Sequence, residues 1–566
     1  MLLLAATAGA TATTARATAA RATAATASAT LTRPASQTSP PRGFRLSADT
    51  ATAIADRSPV VRAVRRGDPG LRPTAYTSGP RRWQVSYFAH REERAQVTID
   101  DRSGAVVEAW TGPQVRWRMA RGYEGAFGRK LNAPYVWLPL CLLFLAPFVD
   151  PRRPFRLLHL DLIVLLSFGA SQIFFNRGEI SASVLLVYPV LAYLLARMVW
   201  TGLRPRRDEG RLIPLVPLSW LALGLLFLIG FRIGLNVIDS GVIDVGYASV
   251  VGADRIAAGE SLYGAFPADV AHGDTYGPVT YLAYLPFEQM LPWHGRWEGL
   301  AAAHAAAIAF DLLTALALFL LGRRLGGARR GMLLGVALAY GWTAYPYSSY
   351  VLASNANDSL VAALLVLALL ALASPPGRGA LVALAGVAKF AALALAPLFL
   401  AAADRGHPRA DRLRRSAVFG CSFALVAGGL LLAFLPDGGA RELYDRTIGY
   451  QAGRDSPFSV WGLEPSLAPL HAAVTATAIA LAILVAFVPH RKNIVQVAAL
   501  AAAVLIALQI AAAHWFYLYI VWFFPLTLVA LFGPHGVSDG PSPSTSAQPR
   551  TGAGLPSTAP GSSQPE

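Results

Sequence analysis

From residue 134 to residue 532 the sequence is a succession of apolar runs separated by short loops, many of which carry arginine. Most runs are close to the ~20 residues that a helix needs to cross the ~30 Å hydrocarbon core of a bilayer. Lipid offers backbone polar groups no partner, so an apolar run there must satisfy its own hydrogen bonds, as a helix does. The pattern therefore predicts an all-α polytopic membrane protein. Spans are expected at Pro134–Val149, Leu157–Phe175, Ser181–Trp200, Ile213–Gly234, Gly299–Leu321, Gly331–Ser349, Ser359–Ala373, Ser416–Leu435, Leu470–Val488, Ile494–Ala512 and Trp515–Phe532. The total is about 11 to 13, depending on how two further segments are read.

Composition agrees with that class. Of 566 residues 54% are hydrophobic and 14% charged, and the mean hydropathy is +0.44, a balance foreign to soluble enzymes. The net charge of +16 does not point to nucleic acid, because the arginines sit in loops between apolar runs rather than on one face. The two cysteines, Cys141 and Cys421, lie inside apolar runs and do not suggest a disulfide framework.

Two regions precede the spans. Residues 1–46 are rich in Ala and Thr and are expected to be disordered, or to retain a signal remnant in the opening Leu2–Ala6. Residues 47–131 predict a small α+β domain, with a helix over 53–65 and strands over 83–88, 95–100 and 105–110. The turn Asp100-Asp101-Arg102-Ser103-Gly104 and the following Val106-Val107-Glu108-Ala109-Trp110 resemble the PepSY type of small bacterial domain. A binding or spacer module is the expectation there. Residues 533–566, rich in Pro, Ser and Gly, are expected to form a disordered cytoplasmic tail.

Positively charged short loops stay cytoplasmic. Arg152, Arg153 and Arg156, then Arg204, Arg206, Arg207 and Arg211, place the first and third loops inside and the α+β domain outside. Arg323, Arg324, Arg329 and Arg330 must also be inside, so the apolar run 276–291 cannot cross and is expected to lie in the outer interface. Arg405, Arg409, Arg412, Arg414 and Arg415 impose the same side. The run 380–402 must then enter and return as two half-length helices with Lys389 near the turn. Loops 235–298, 350–358 and 436–469, together with His514, fall outside. A plasma-membrane location with an extracytoplasmic polar cluster is expected.

That cluster contains Asp239, Asp244 and Tyr247, then Tyr263, then Tyr276-Gly277-Pro278 opening the interfacial helix. Asn357 in Ser354-Asn355-Ala356-Asn357 and Lys389 in Ala385-Gly386-Val387-Ala388-Lys389-Phe390 follow. Gln451, Arg454 and Asp455 share one polar external run, and His514 opens the last span. A carboxylate at a membrane edge can accept a proton from a hydroxyl, and a lysine in an apolar setting is functional by default. Asp311, in mid-span, is assigned no catalytic role.

The order of these parts over 213–532 resembles polyprenyl-phosphate-sugar-dependent glycosyltransferases of the GT-C type, glycosyltransferase family 87 in particular. That resemblance rests on an aspartate in the first large external loop, an aromatic-Pro helix, an Asn motif opening a later span and a lysine in a broken helix. Ser354 and Asn355 stand where the family's motif has Gly and Gln, and Tyr276-Gly277-Pro278 lacks its double proline. The resemblance implies transfer of a sugar, with mannose or arabinose suggested, from a polyprenyl-phosphate donor to an envelope glycan or glycolipid, with inversion. Asp244 would be the base and Asp239 its alternate. Lys389 and Arg454 would hold the lipid phosphate, and Tyr247, Tyr263, Asn357 and Gln451 would line the sugar pocket. Tyr276, Asp455 and His514 complete the expected binding set, with His514 a cation if protonated. No Gly-rich phosphate loop and no zinc-spaced Cys/His cluster occurs, so a loosely bound divalent cation at the donor phosphate is the only metal role left open. The alternative function is a transporter or flippase of lipid-linked sugars, which would place ionisable residues near the bilayer midplane.

Overall fold

The computed structural model describes residues 31–122, 128–204, 211–402, 408–454 and 456–535. Asp455, Arg206, Arg207 and Arg405, the segment 1–30 and the tail beyond 535 lie outside these residues.

The N-terminal unit is an antiparallel meander of β1 (Leu31–Thr32), β2 (Arg72–Ser78), β3 (Arg82–Ala89), β4 (Glu92–Asp100) and β5 (Val106–Thr111), in that order. Alternation along β3 and β4 directs Trp83, Val85, Tyr87, Ala95, Val97 and Ile99 to one face, where they are fully buried against Ala48, Ala51, Ala55 and Val61 of two helices. Those two helices, Ala48–Asp56 and Pro59–Gly67, replace the single helix expected over 53–65. Pro59 disfavours helical geometry at Ser58 and starts a new helix at its own first turn. The unit also begins earlier than residue 47. Leu31 and Thr32 pair with Ser78 and Thr77, Phe44 packs edge-on against Trp83, and the buried Asp101 carboxylate accepts the Arg45 and Leu46 amides at 2.8 and 2.9 Å. Strand β2 escaped the sequence reading because Pro73 argues against a strand; it pairs opposite Tyr87.

The remainder is helical. Among the described residues, eight helices are long and apolar enough to cross a membrane: Leu157–Asn176, Ile180–Leu203, Leu218–Ile238, Ala301–Ala328, Arg409–Ala433, Pro465–Phe487, Ile494–Ala511 and Tyr517–His535. Three shorter apolar helices, Pro134–Leu145, Asp358–Leu370 and Phe390–Ala402, stand among them. The span expected from Ile213 starts at Leu218, because Pro214 and Pro217 precede it and Pro217 caps the helix. The runs expected at 299–321 and 331–349 form two helices within Ala301–Ala344, separated by a reversal at Gly327, where φ is 57° and the backbone leaves the helical region. Gly322 lies so close to Gly335 across the fold that a Cβ on Gly322 would sit 2.6 Å from the Gly335 backbone.

Two local features set the geometry of the polar region. Helix Pro278–Met290 has 13 residues, about 20 Å of helix against a hydrocarbon core of ~30 Å; it packs Tyr281 against Gly252 of helix Asp244–Ala257. Segment 375–402 breaks at Lys389, whose backbone is extended between helix Pro375–Ala388 and a 3-10 turn. Its two arms return alongside one another, since Arg378 near the start donates to the Phe399 carbonyl near the end at 3.0 Å. Lys389 is therefore the tip of a hairpin.

The two ends of the bundle differ in chemistry. Arg324 donates to the Leu370 carbonyl, Arg415 to Ala373 at 2.8 Å and Arg330 to His535 at 3.3 Å. These cations meet carbonyls at or just beyond helix C-termini, where dipole and unpaired acceptors favour positive charge. Helix Asp358–Leu370 starts at the opposite end, beside Lys389.

Candidate functional site

The loop after helix Leu218–Ile238 is stitched to the loop that precedes Asp358. Gly241 and Ile243 donate their amides to the Ala353 and Ser354 carbonyls at 3.1 and 3.2 Å. Asn355 bonds Asn236 at 2.8 Å, Ser240 at 3.0 Å and the Gly241 carbonyl at 3.1 Å. Gly246 lies against the Asn355 carbonyl, 2.2 Å from where a Cβ would be. Asn357 donates to Ser249 at 3.0 Å, tying down the helix that Asp244 opens. Asp244 is thereby fixed at the helix N-terminus, exposed, with its carboxylate accepting the Val245 amide at 2.9 Å.

Lys389 reaches the same place from the hairpin tip. Gly277 packs so tightly on the Val387 carbonyl that a Cβ would lie 1.7 Å from it, and Thr280 caps the freed Ala388 carbonyl at 2.8 Å. The Tyr276-Gly277-Pro278 run thus grips the helix break and sets the Tyr276 ring 3.9 Å from the Lys389 ammonium. The ammonium is 8% exposed and lies 3.6 Å from the Asp358 carboxylate, which also accepts the Trp522 indole at 2.8 Å. Asp244 acts electrostatically on Tyr276, Asp358 and Lys389 alike. Burial, helped by the Asp244 charge, holds the Tyr276 phenol well above 10, so it remains a protonated hydroxyl.

The third wall comes from the 454–461 loop and residue 514. Arg454 acts electrostatically on Tyr276, Tyr519 and His514, and its guanidinium stacks 4.9 Å from the Trp117 ring. His514 lies 2.7 Å from Ser456 Oγ through Nδ1, between Trp117 at 5.7 Å and Phe458 at 5.6 Å. Three buried polar atoms here have no hydrogen-bond partner among the described residues: Arg454 Nε, Asp358 Oδ2 and Asn357 Oδ1. Unsatisfied groups of this kind are rare in folded proteins, and these three belong to residues of one cluster.

Asp244, Tyr276, Asn357, Lys389, Arg454 and His514 therefore converge. Other expected residues have different surroundings. Asp239 accepts the Lys130 amide at 3.0 Å and anchors the segment leading from the N-terminal unit. Tyr247 is buried, stacked on Trp297 at 4.6 Å and 3.5 Å from Asp269, so it packs the loop rather than lining a pocket. Tyr263 is a support, its hydroxyl donating to the Tyr276 carbonyl at 3.1 Å. Gln451 is half-buried on the short helix Tyr450–Ala452. His514 is no cation: burial first, and Arg454 next, push its imidazole well below 6.5, so it is neutral. Asp311 is the partner of Arg232 at 2.6 Å and of the Trp342 indole at 2.9 Å, a buried pair inside the helices in which Arg232 Nε has no partner among the described residues.

Two residues were missed. Asp358 reads from sequence as an ordinary acid in the first turn of a helix, although its place next to Asn357 was a signal. Trp117 belongs to the connector of the N-terminal unit, where an aromatic carries no mark of a site whose next residue along the chain is Asp244.

This fold and site define a multi-pass helical membrane protein with a small antiparallel N-terminal sheet. Comparison with protein-family models finds no match, and comparison with curated protein sequences finds no significant one.

Proposed function

We propose that the chain is a membrane glycosyltransferase that moves a sugar from a polyprenyl-phosphate donor to an acceptor hydroxyl on the extracytoplasmic side of the plasma membrane. The observation that carries this reading is the convergence of one exposed carboxylate, Asp244, with Lys389, Arg454 and Tyr276, beside buried polar atoms that lack partners. Transfer from a lipid phosphate needs a base for the acceptor and cations for the departing phosphate, within reach of the bilayer.

In this reading the acceptor oxygen attacks the anomeric carbon from the face opposite the phosphate. The new C–O bond forms as the bond to the phosphate oxygen breaks, and the configuration inverts. Asp244 takes the hydroxyl proton. The polyprenyl phosphate leaves with the bonding electron pair, its charge met by Lys389 and Arg454. Asp358, 3.6 Å away, orients Lys389 while leaving two of its three donors for the phosphate. Neutral His514 contributes a hydrogen bond rather than a charge. Mannose and arabinose are the first donors to test, and an envelope glycan or glycolipid is the acceptor class.

The transporter alternative draws on the buried Arg232–Asp311 pair, which the Trp342 indole and Ser348 hold in place. Transfer from labelled polyprenyl-phosphate mannose and arabinose in membranes distinguishes the two. Wild type should label a glycan product, and Asp244→Asn should lower the rate by about 100-fold or more, the usual worth of a positioned base. Transfer undiminished in Asp244→Asn would remove the base, and no transfer from either donor would sink the enzyme reading.

A further inference from the structure

A second concavity opens next to this site. It is a cleft of about 460 Å³ between the 272–274 segment and the 438–450 segment, within the size range of small-molecule sites. Its floor is Arg446, which is clamped from two sides: Glu442 accepts from Nε at 2.7 Å and Asp274 from Nη1 at 2.9 Å. Both carboxylates are otherwise engaged, Asp274 by the Gly264 amide and Glu442 by the Gly438 amide, each at 2.9 Å. One wall is an aromatic pair, His272 and Tyr450, stacked with centroids 4.7 Å apart and planes at 24°.

The cleft is tied to the Lys389 site through two neighbouring residues: the Tyr263 hydroxyl holds the Tyr276 carbonyl at 3.1 Å, and the Gly264 amide holds Asp274 at 2.9 Å. His272 and Asp274 lead within a few residues to Tyr276 over the ammonium, and Tyr450 leads to Arg454. Charge narrows the ligand. Two guanidiniums, Arg441 and Arg446, share the cleft with three carboxylates, Asp274, Glu442 and Asp445, which disfavours a polyanion. The carboxylates of Asp274 and Glu442 are bound to backbone amides and to Arg446, so a strongly cationic ligand finds little free charge there. A rigid aromatic face beside fixed, partly exposed donors and acceptors suits a neutral ring carrying many hydroxyls.

We propose that this cleft binds a neutral saccharide and presents it to the Asp244 site. Saccharide binding stands on the cleft alone; the role of that saccharide as acceptor rests on the glycosyltransferase reading above. The two are separable by experiment on the full-length protein in detergent micelles. Saturation-transfer difference NMR with mannotriose and arabinotriose should show ring-proton signals from at least one of them. Tyr450→Ala should remove the signals, Tyr450→Phe should keep them, and excess inorganic phosphate should not compete. In the transfer assay Tyr450→Ala should raise the acceptor KM about tenfold, the scale of losing one aromatic face, and leave kcat unchanged. Signals that persist in Tyr450→Ala, that phosphate displaces, or that appear with neither trisaccharide overturn the proposal. Tyr450-dependent signals from a protein without transfer activity would leave the cleft intact as a saccharide site and remove only its acceptor role.

Discussion

His514 and Lys389 are both basic side chains held among aromatic rings, and the charged neighbour of each differs in sign. Lys389 has Asp358 at 3.6 Å and the Tyr276 ring at 3.9 Å, partners that favour a charge. His514 has Ser456, three nearby rings and the Arg454 cation, which oppose one. Because the folded His514 is held well below 6.5, the unfolded chain binds a proton first as pH falls. The stability of this region is therefore full above about 6.5 and declines in acid below it. Protection factors of the 456–463 amides, with the intrinsic pH dependence of exchange divided out, should fall below that pH in wild type and not in His514→Gln; an equal fall in the variant would count against a buried neutral imidazole. For the Lys389–Asp358 pair, removing one partner strands the other charge. Lys389→Met alone should lower stability by about 3–5 kcal/mol, and Lys389→Met with Asp358→Leu should recover much of that loss. Thermal melts in one detergent compare the two; a double variant as unstable as the sum of the singles would mean that no such pair forms.

At the scale of elements, missing side chains decide where the reactive ones go. Gly277 against Val387 and Gly246 against Asn355 are backbone contacts that no Cβ fits. Gly277→Ala should displace the Tyr276–Lys389 contact and cut transfer by about 10-fold or more, an ångström-scale misplacement near a reacting centre, while insertion and expression persist; activity equal to wild type would show that the grip on the helix break is dispensable. The hairpin of 375–402 follows from loop charge, because arginines on both sides leave an even number of crossings. The interfacial helix follows from the same parity and from its prolines. Less of the N-terminal unit was legible. Its β1 strand has two residues, too few for any period, and its β2 carries a proline. The site divides in the same way. Asp244, Tyr276, Lys389 and Arg454 stand out because a polar or charged group beside a span has few innocent explanations, whereas Asp358 passes for a helix-start acid. Trp117 reaches Arg454 through the docking of its connector on distant segments, such as Gln114 on the Gly178 carbonyl at 3.1 Å and Trp117 on Phe458 at 5.5 Å, long-range contacts with no local sequence trace.

Over the whole molecule, charge sorts to the two ends of one bundle. Arg324, Arg330 and Arg415 hold carbonyls at one end, and Asp244, Lys389 and Arg454 gather at the other. If loop arginines remain cytoplasmic, the polar site opens to the opposite side, where a lipid-linked sugar must serve because nucleotide sugars are absent. Sidedness is thus the claim on which donor, acceptor and location all depend. It is tested most directly with a membrane-impermeant maleimide on intact cells, using single cysteines in a background where Cys141 and Cys421 are replaced. Ser261→Cys and Asp437→Cys, beside the site, should label without permeabilisation, and Ser374→Cys, at the arginine end, should label only after it. Labelling of Ser374→Cys alone in intact cells would contradict the account.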